Sequence, residues 1–378
     1  MMDLSVSTAT LGARQFQAVV GETVAGRVLG GSLRLLRQSA EAARSALPGG
    51  AGVEWRELAN KLEAFALFHR APARRGPIAE AGPLLAENLR QVAALGAYPS
   101  VWAMEGVGFA VAEWAWAVGE SPRRFLAEAG RDVQPASAVV PLHTGTALSF
   151  AERLLTSGEA RSPEGLARWL AGWEECALAG SGGVAVEALG LVARNLYPHR
   201  LRRLDGLLRA IDPVLAEHLW HGVGRGLYFA PTHLLPYSAA PGRALDKAGR
   251  EPPDEAGRRN ATAGLGWALT LVNLRHPEVV ADVLRRHGRD VARGEAFAHG
   301  VASAVLLWRD LVGHDPHLTA FLAHRPEAAG PIVGALWRDL VAGPGAAALR
   351  SRQPVPRWSG GLAALFRCPP SVWEGSGR

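Results

Sequence analysis

Lysine is almost missing from this chain: Lys61 and Lys247 are the two lysines among 41 basic residues, so the formal charge of +6 rests on arginine. A GC-rich coding composition produces the same bias, and a nucleic-acid footprint requires arginines clustered on one face. Arg200-Leu-Arg202-Arg203 and the stretch from Arg285 to Arg293 come nearest, and both are broken by apolar or acidic residues, as solvated helix faces are. Cysteine is scarce too. Cys176 and Cys368 are too few for a disulfide framework or a zinc site. There is no Asp-Asp-x-x-Asp, no P-loop, no Gly-x-Gly-x-x-Gly after a strand and no Gly-x-Ser-x-Gly elbow. Those absences argue against nucleotide-dependent chemistry and serine hydrolysis, and neither a cofactor nor a metal is expected. No basic start leads into an apolar run, so no cleaved signal peptide is expected. The most apolar window, Tyr98 to Gly119, carries Glu105 and Glu113. Each carboxylate would cost roughly 2.5–3.5 kcal/mol at a bilayer centre. The expectation is a cytoplasmic protein without membrane insertion.

What the chain has is apolar bulk and a rhythm. Hydrophobic residues make up 48% of 378, enough for a large core. A small-x-small-aliphatic pattern recurs seven times: Ala64-Phe-Ala-Leu, Gly108-Phe-Ala-Val, Gly145-Thr-Ala-Leu, Gly183-Val-Ala-Val, Gly224-Arg-Gly-Leu, Gly266-Trp-Ala-Leu and Ala302-Ser-Ala-Val. Prolines keep phase with it at Ser121-Pro122, Ser162-Pro163, Tyr197-Pro198, His276-Pro277 and Asp315-Pro316. No stretch alternates with period two for long enough to form a sheet. The predicted fold is all-α, an array of about seven two-helix repeats of ~40 residues, as an α-solenoid or a closed α/α arrangement. In each repeat the first helix carries the small residues and the second opens at the proline, capped by the residue before it.

A glycine inside a helix costs about 1 kcal/mol relative to alanine. Its recurrence therefore needs a reason: close approach of a neighbouring helix, or of a flat apolar ligand to exposed backbone. Residues 1–55 form an N-terminal helical extension, with Val19 to Ala43 helical and a flexible break at Leu47-Pro-Gly-Gly-Ala-Gly. Residues 56–342 form the repeat domain, interrupted by a long irregular polar insertion at 237–259, and 343–378 form a Pro-rich tail. Leu307-Trp-Arg-Asp-Leu-Val returns as Leu336-Trp-Arg-Asp-Leu-Val, which suggests a shortened terminal repeat.

Polar residues gather just ahead of the glycines: Glu105, His143, His221 and His299. Equivalent stations at the starts of successive helices would turn them toward one space, where His and a buried Glu suit acid–base work. Alternatively each satisfies local amides at a helix end. His221, Glu105 and His143 are the candidate catalytic residues. Arg225 and Tyr228 share a helix face with His221 and are candidate substrate-binding residues, as are Glu113, Trp116, Trp267 and His299. His218 and His221 are three apart, but no further zinc ligand accompanies them.

Glu105-Gly-Val-Gly-Phe-Ala, His221-Gly-Val-Gly-Arg-Gly-Leu-Tyr-Phe and Ala263-Gly-Leu-Gly-Trp-Ala resemble a domain-of-unknown-function family of actinobacterial proteins. Members of that family often accompany enediyne and related polyketide biosynthetic genes. The resemblance spans about residues 95–310 and implies a context of specialised metabolism with long unsaturated substrates, but no catalytic residues. The leading expectation is natural-product biosynthesis: a protein enclosing an apolar polyene- or polyketide-like molecule, with acid–base isomerisation or cyclisation as its chemistry. A biosynthetic partner protein is also conceivable. The alternatives are a helical-repeat scaffold for a protein partner and a basic nucleic-acid binder.

Overall fold

The computed structural model describes residues 38–40, 42, 50–69, 81–117, 119, 122, 126, 136–157, 159–178, 181–230, 233, 239–326 and 329–350. Among them lie fifteen α-helices and no strand, so the protein is all-α. In chain order they are α1 (Gly50–Phe68), α2 (Ala81–Ala93), α3 (Ala97–Ala117), α4 (Ala136–Ser157) and α5 (Pro163–Cys176). Next come α6 (Gly182–Leu196), α7 (Leu201–Ile211), α8 (Pro213–Tyr228), α9 (Ala240–Arg250) and α10 (Glu255–Val272). The last are α11 (Pro277–Val291), α12 (Ala296–Val312), α13 (Pro316–Ala323), α14 (Pro331–Trp337) and α15 (Gly343–Arg350). A π-helical stretch, Arg338–Ala342, joins α14 to α15. The chain falls into two compact units: Met1–Leu178 with Val192–Leu204 and Phe229–Ser238, and Ala179–Leu191 with Asp205–Tyr228 and Ala239–Arg378.

Helix starts follow local chemistry. The Ser162 hydroxyl accepts from the Gly165 amide (3.1 Å) ahead of Pro163, and Asp315 accepts from the His317 amide (2.9 Å) ahead of Pro316. Pro277 opens α11, but His276 makes no side-chain cap bond. Pro198 opens a short 3-10 turn before α7. Ser121 and most of the segment after it lie outside the described residues.

The glycines pack helix on helix. In the first unit α3 lies between α1 and α4. A Cβ on Gly106 would strike the Phe68 carbonyl oxygen of α1, and one on Gly108 would strike the Leu142 carbonyl of α4. The second unit repeats the arrangement. Gly222 meets Glu187 of α6 and Gly224 meets Ala261 of α10; Gly264 meets His221 of α8, and a Cβ on Gly266 would lie 2.9 Å from the Phe297 oxygen of α12. Residues two apart point to nearly opposite sides of a helix. One glycine therefore admits the preceding helix and its partner admits the next. The backbone is covered by backbone at these stations, and the ligand-lined alternative does not apply there.

The structure also corrects the expected phase and boundaries. On α6 the station lies at Gly190, which meets Leu219 of α8, whereas Gly183 seats the ring of His218. Glu105 and His221 sit in mid-helix, not at helix starts. The expected insertion at 237–259 is largely ordered as α9 and the start of α10. Pro241 stands in the first turn of α9, and Ala240, Ala244 and Ala248 form the buried stripe that an irregular reading overlooked. Residues 343–350 belong to α15, which packs against α12, so the tail cannot begin at 343; residues beyond Arg350 lie outside the described set. The break expected around Pro48 is already helical from Gly50, while most of Val19–Ala43 is outside the described residues. One helical stretch among the described residues, Pro331–Arg350, is long and apolar enough to cross a membrane, and 39% of its apolar window is buried inside the protein.

Candidate functional sites

In the second unit Gly222 brings α8 so close to α6 that His221 and Arg225, one turn apart, reach the same carboxylate. Glu187 Oε1 lies 2.7 Å from His221 Nδ1 and accepts from Arg225 Nη1 at 3.0 Å. The Arg225 guanidinium stacks 4.2 Å from the Trp267 ring centroid, and the His221 ring meets the same indole edge-on. The Glu187 side chain is wholly buried and that of His221 is 1% exposed. Burial works to raise the Glu187 pKa, but the charges of Arg225 and His221 prevail and hold it below the ordinary carboxylate range. Glu187 Oε2 and Arg225 Nε have no hydrogen-bond partner among the described residues. A carboxylate so placed orients the imidazole as carboxylates orient catalytic histidines. A buried ion pair is weak evidence for stability, because desolvation opposes its attraction.

Three sequence candidates, His221, Arg225 and Trp267, therefore meet around a residue that sequence reading missed. Tyr228 is buried as well, so the trio on α8 is not an exposed face, but its hydroxyl accepts from Asn273 Nδ2 (2.7 Å) apart from the Glu187 cluster. His218 lies against Gly183, one turn from Glu187 on α6. His299 is half-buried near Glu295 (3.6 Å), and burial lowers its pKa.

In the first unit Glu113 and Trp116 meet on Ser149 of α4. The Ser149 hydroxyl donates to Glu113 Oε1 (2.5 Å) and accepts from Trp116 Nε1 (3.2 Å). Arg153 stacks 4.3 Å over the Trp116 ring. Glu152, one turn beyond Ser149, is 4% exposed, and its Oε1 has no hydrogen-bond partner among the described residues. Burial and the charge of Glu113 push its pKa up to about 7. Burial also raises that of Glu113, against the Ser149 hydrogen bond and Arg153. His143 is packed elsewhere in the same unit. Its Nδ1 lies 2.7 Å from the Val139 carbonyl, the Leu178 amide donates to Nε2 (3.2 Å), and burial lowers its pKa to about 4. The ring is thus neutral at pH 7, with both nitrogens engaged. The Glu105 carbonyl meets Gly145 of α4.

A third feature, in the second unit, involves none of the sequence candidates. An open cleft of about 730 Å³ runs between Leu322–Pro326 and the helix from Gly330 to Ala346. Trp337 lies against its floor, packed edge-on to His324 (5.0 Å) and tilted on Phe321 (5.4 Å). Burial lowers the His324 pKa, against the charge of Glu278. Gly334 lines the cleft from inside α14, and a Cβ there would meet nothing within 4 Å. Unlike the glycines of the helix stack, this one leaves space. Among the described residues no group of three or more His, Cys, Asp or Glu side chains is placed to hold a metal ion.

No protein-family model matches the chain, and no significant match was found among curated proteins or solved structures.

Proposed function

We propose that the protein binds an apolar small molecule in the cleft formed by Leu322–Pro326 and the helix from Pro331 to Arg350. The supporting observation is the cleft itself: about 730 Å³, floored by Trp337 and opened by Gly334, in a size range typical of ligand pockets. The π-helical stretch on its wall belongs to a class of irregularity frequent at functional sites. The resemblance noted above favours a polyene- or polyketide-like ligand from specialised metabolism. Any proton transfer within the cleft falls to His324, which burial keeps neutral and able to accept a proton at pH 7. The test is binding of parinaric acid methyl ester, a neutral fluorescent polyene, to the full chain. It should bind, and Ala346→Trp, which fills the cleft from a lining position, should abolish binding. Retention in that variant overturns the assignment. A protein-binding scaffold is the second reading, supported by Ile332, which is 75% exposed at the start of α14.

A further inference from the structure

We infer that the ligand of this cleft is an apolar molecule ending in a carboxylate, whose head is held by Arg325 and Arg338; the inference rests on the cleft being a ligand site. Its lining combines an apolar floor that includes Leu322, Trp337 and Ala342 with two guanidinium groups, and among the described residues that line it there is no aspartate or glutamate. Glu278 acts on His324 from α11 but does not line the cleft. Neither arginine is used up. Arg338 bonds its neighbour Asp339 through Nε at 3.2 Å, leaving its terminal nitrogens without a partner among the described residues. Among the described residues Arg325 donates through Nη1 alone, to the Ala323 carbonyl at 3.4 Å. With His324 neutral, the described residues of the lining carry two positive charges, of which Arg338 is engaged by Asp339 at Nε alone. The complementary ligand has an apolar body and one negative end. A planar guanidinium matches a carboxylate with two parallel hydrogen bonds. A fatty-acid-like polyene carboxylate meets both demands.

The experiment compares parinaric acid with its methyl ester on the full-length protein and on Arg325→Gln, Arg338→Gln and the double variant. The arginines are exposed, so the variants should fold, which circular dichroism verifies. The acid should bind at least about tenfold more tightly than the ester. Each single variant should weaken the acid about tenfold, the scale of one lost charge-assisted pair, and leave the ester unchanged. Equal binding of acid and ester, or acid binding indifferent to both arginines, overturns the carboxylate assignment. Loss of ester binding in Ala346→Trp would still keep the cleft as the site. The stretch Pro331–Arg350 is apolar and carries Arg338 and Arg350, so vesicle binding is measured in parallel. If the arginine variants lose only sedimentation with phosphatidylglycerol vesicles, and bind the monomeric acid as before, the carboxylate reading falls.

Discussion

Glu152, kept protonated to about pH 7 by its burial and by Glu113, destabilises the folded state increasingly as pH rises from its ordinary 4.5. Through that window the unfolded carboxyl has released its proton and the folded one has not, so the penalty grows by about 1.4 kcal/mol per pH unit and levels off above pH 7. His143 acts in the opposite sense. With its pKa lowered from 6.5 to about 4, its contribution is complete above pH 6.5 and is lost as the medium becomes more acid. Replacing Glu152 by Gln removes only the first effect. The stability of the variant relative to wild type, followed by urea unfolding from pH 4.5 to 7.5, should rise steadily to pH 7 and then flatten. A difference that does not vary with pH would show that Glu152 ionises normally. At this scale the sequence was partly legible. His221 and Arg225 were found because helical spacing places them on one face, whereas Glu187 was missed because the glycine phase on α6 was set seven residues early, at Gly183 instead of Gly190. Glu152 carries no motif; its character comes from neighbours on another helix.

The two kinds of glycine separate helices that pack from helices that open. Gly222→Ala forces a methyl group into the Glu187 carbonyl, and since backbone cannot swing aside as a flexible side chain does, at least about 1–3 kcal/mol of stability should be lost. Gly334→Ala meets empty space in a helix and should stabilise the protein by about 0.5–1 kcal/mol. Thermal unfolding of both variants checks the pair, and a destabilised Gly334→Ala would mean that the cleft is closed in solution. The small-residue rhythm was legible because every close helix crossing demands it. Helix α9 was not, because Pro241, Gly242 and Gly249 resemble loop composition, and the alanine stripe beneath them has meaning only once α8 and α10 provide a surface to cover.

Across the molecule several of the described arginines are matched by nearby acids, most of them on the same helix. Asp282 binds Arg285 (2.5 Å) and Arg286 (2.8 Å), Glu255 binds Arg258 (2.9 Å), and Arg209 bridges Asp205 and Asp254. The positive charge of the Arg285 to Arg293 stretch is thus partly offset where it lies, by Asp282 and Asp290. Affinity for duplex DNA should be weak and should change little between 50 and 200 mM salt, as titrations would show, whereas a binder with several phosphate contacts loses orders of magnitude over that range. The helical class was legible from periodicity alone. The cleft was not, since it arises where α13, α14 and α15 meet; the Leu336-Trp-Arg-Asp-Leu-Val echo runs through Trp337 and Arg338 but does not show that space is left beside them. The paired glycines also bear on how such a chain changes length. Because each inner helix offers one notch backward and one forward, a duplicated helix pair would find a ready berth on both sides, and an excised pair would leave two surfaces that still mesh. Natural variants of this protein should therefore grow or shrink in whole modules.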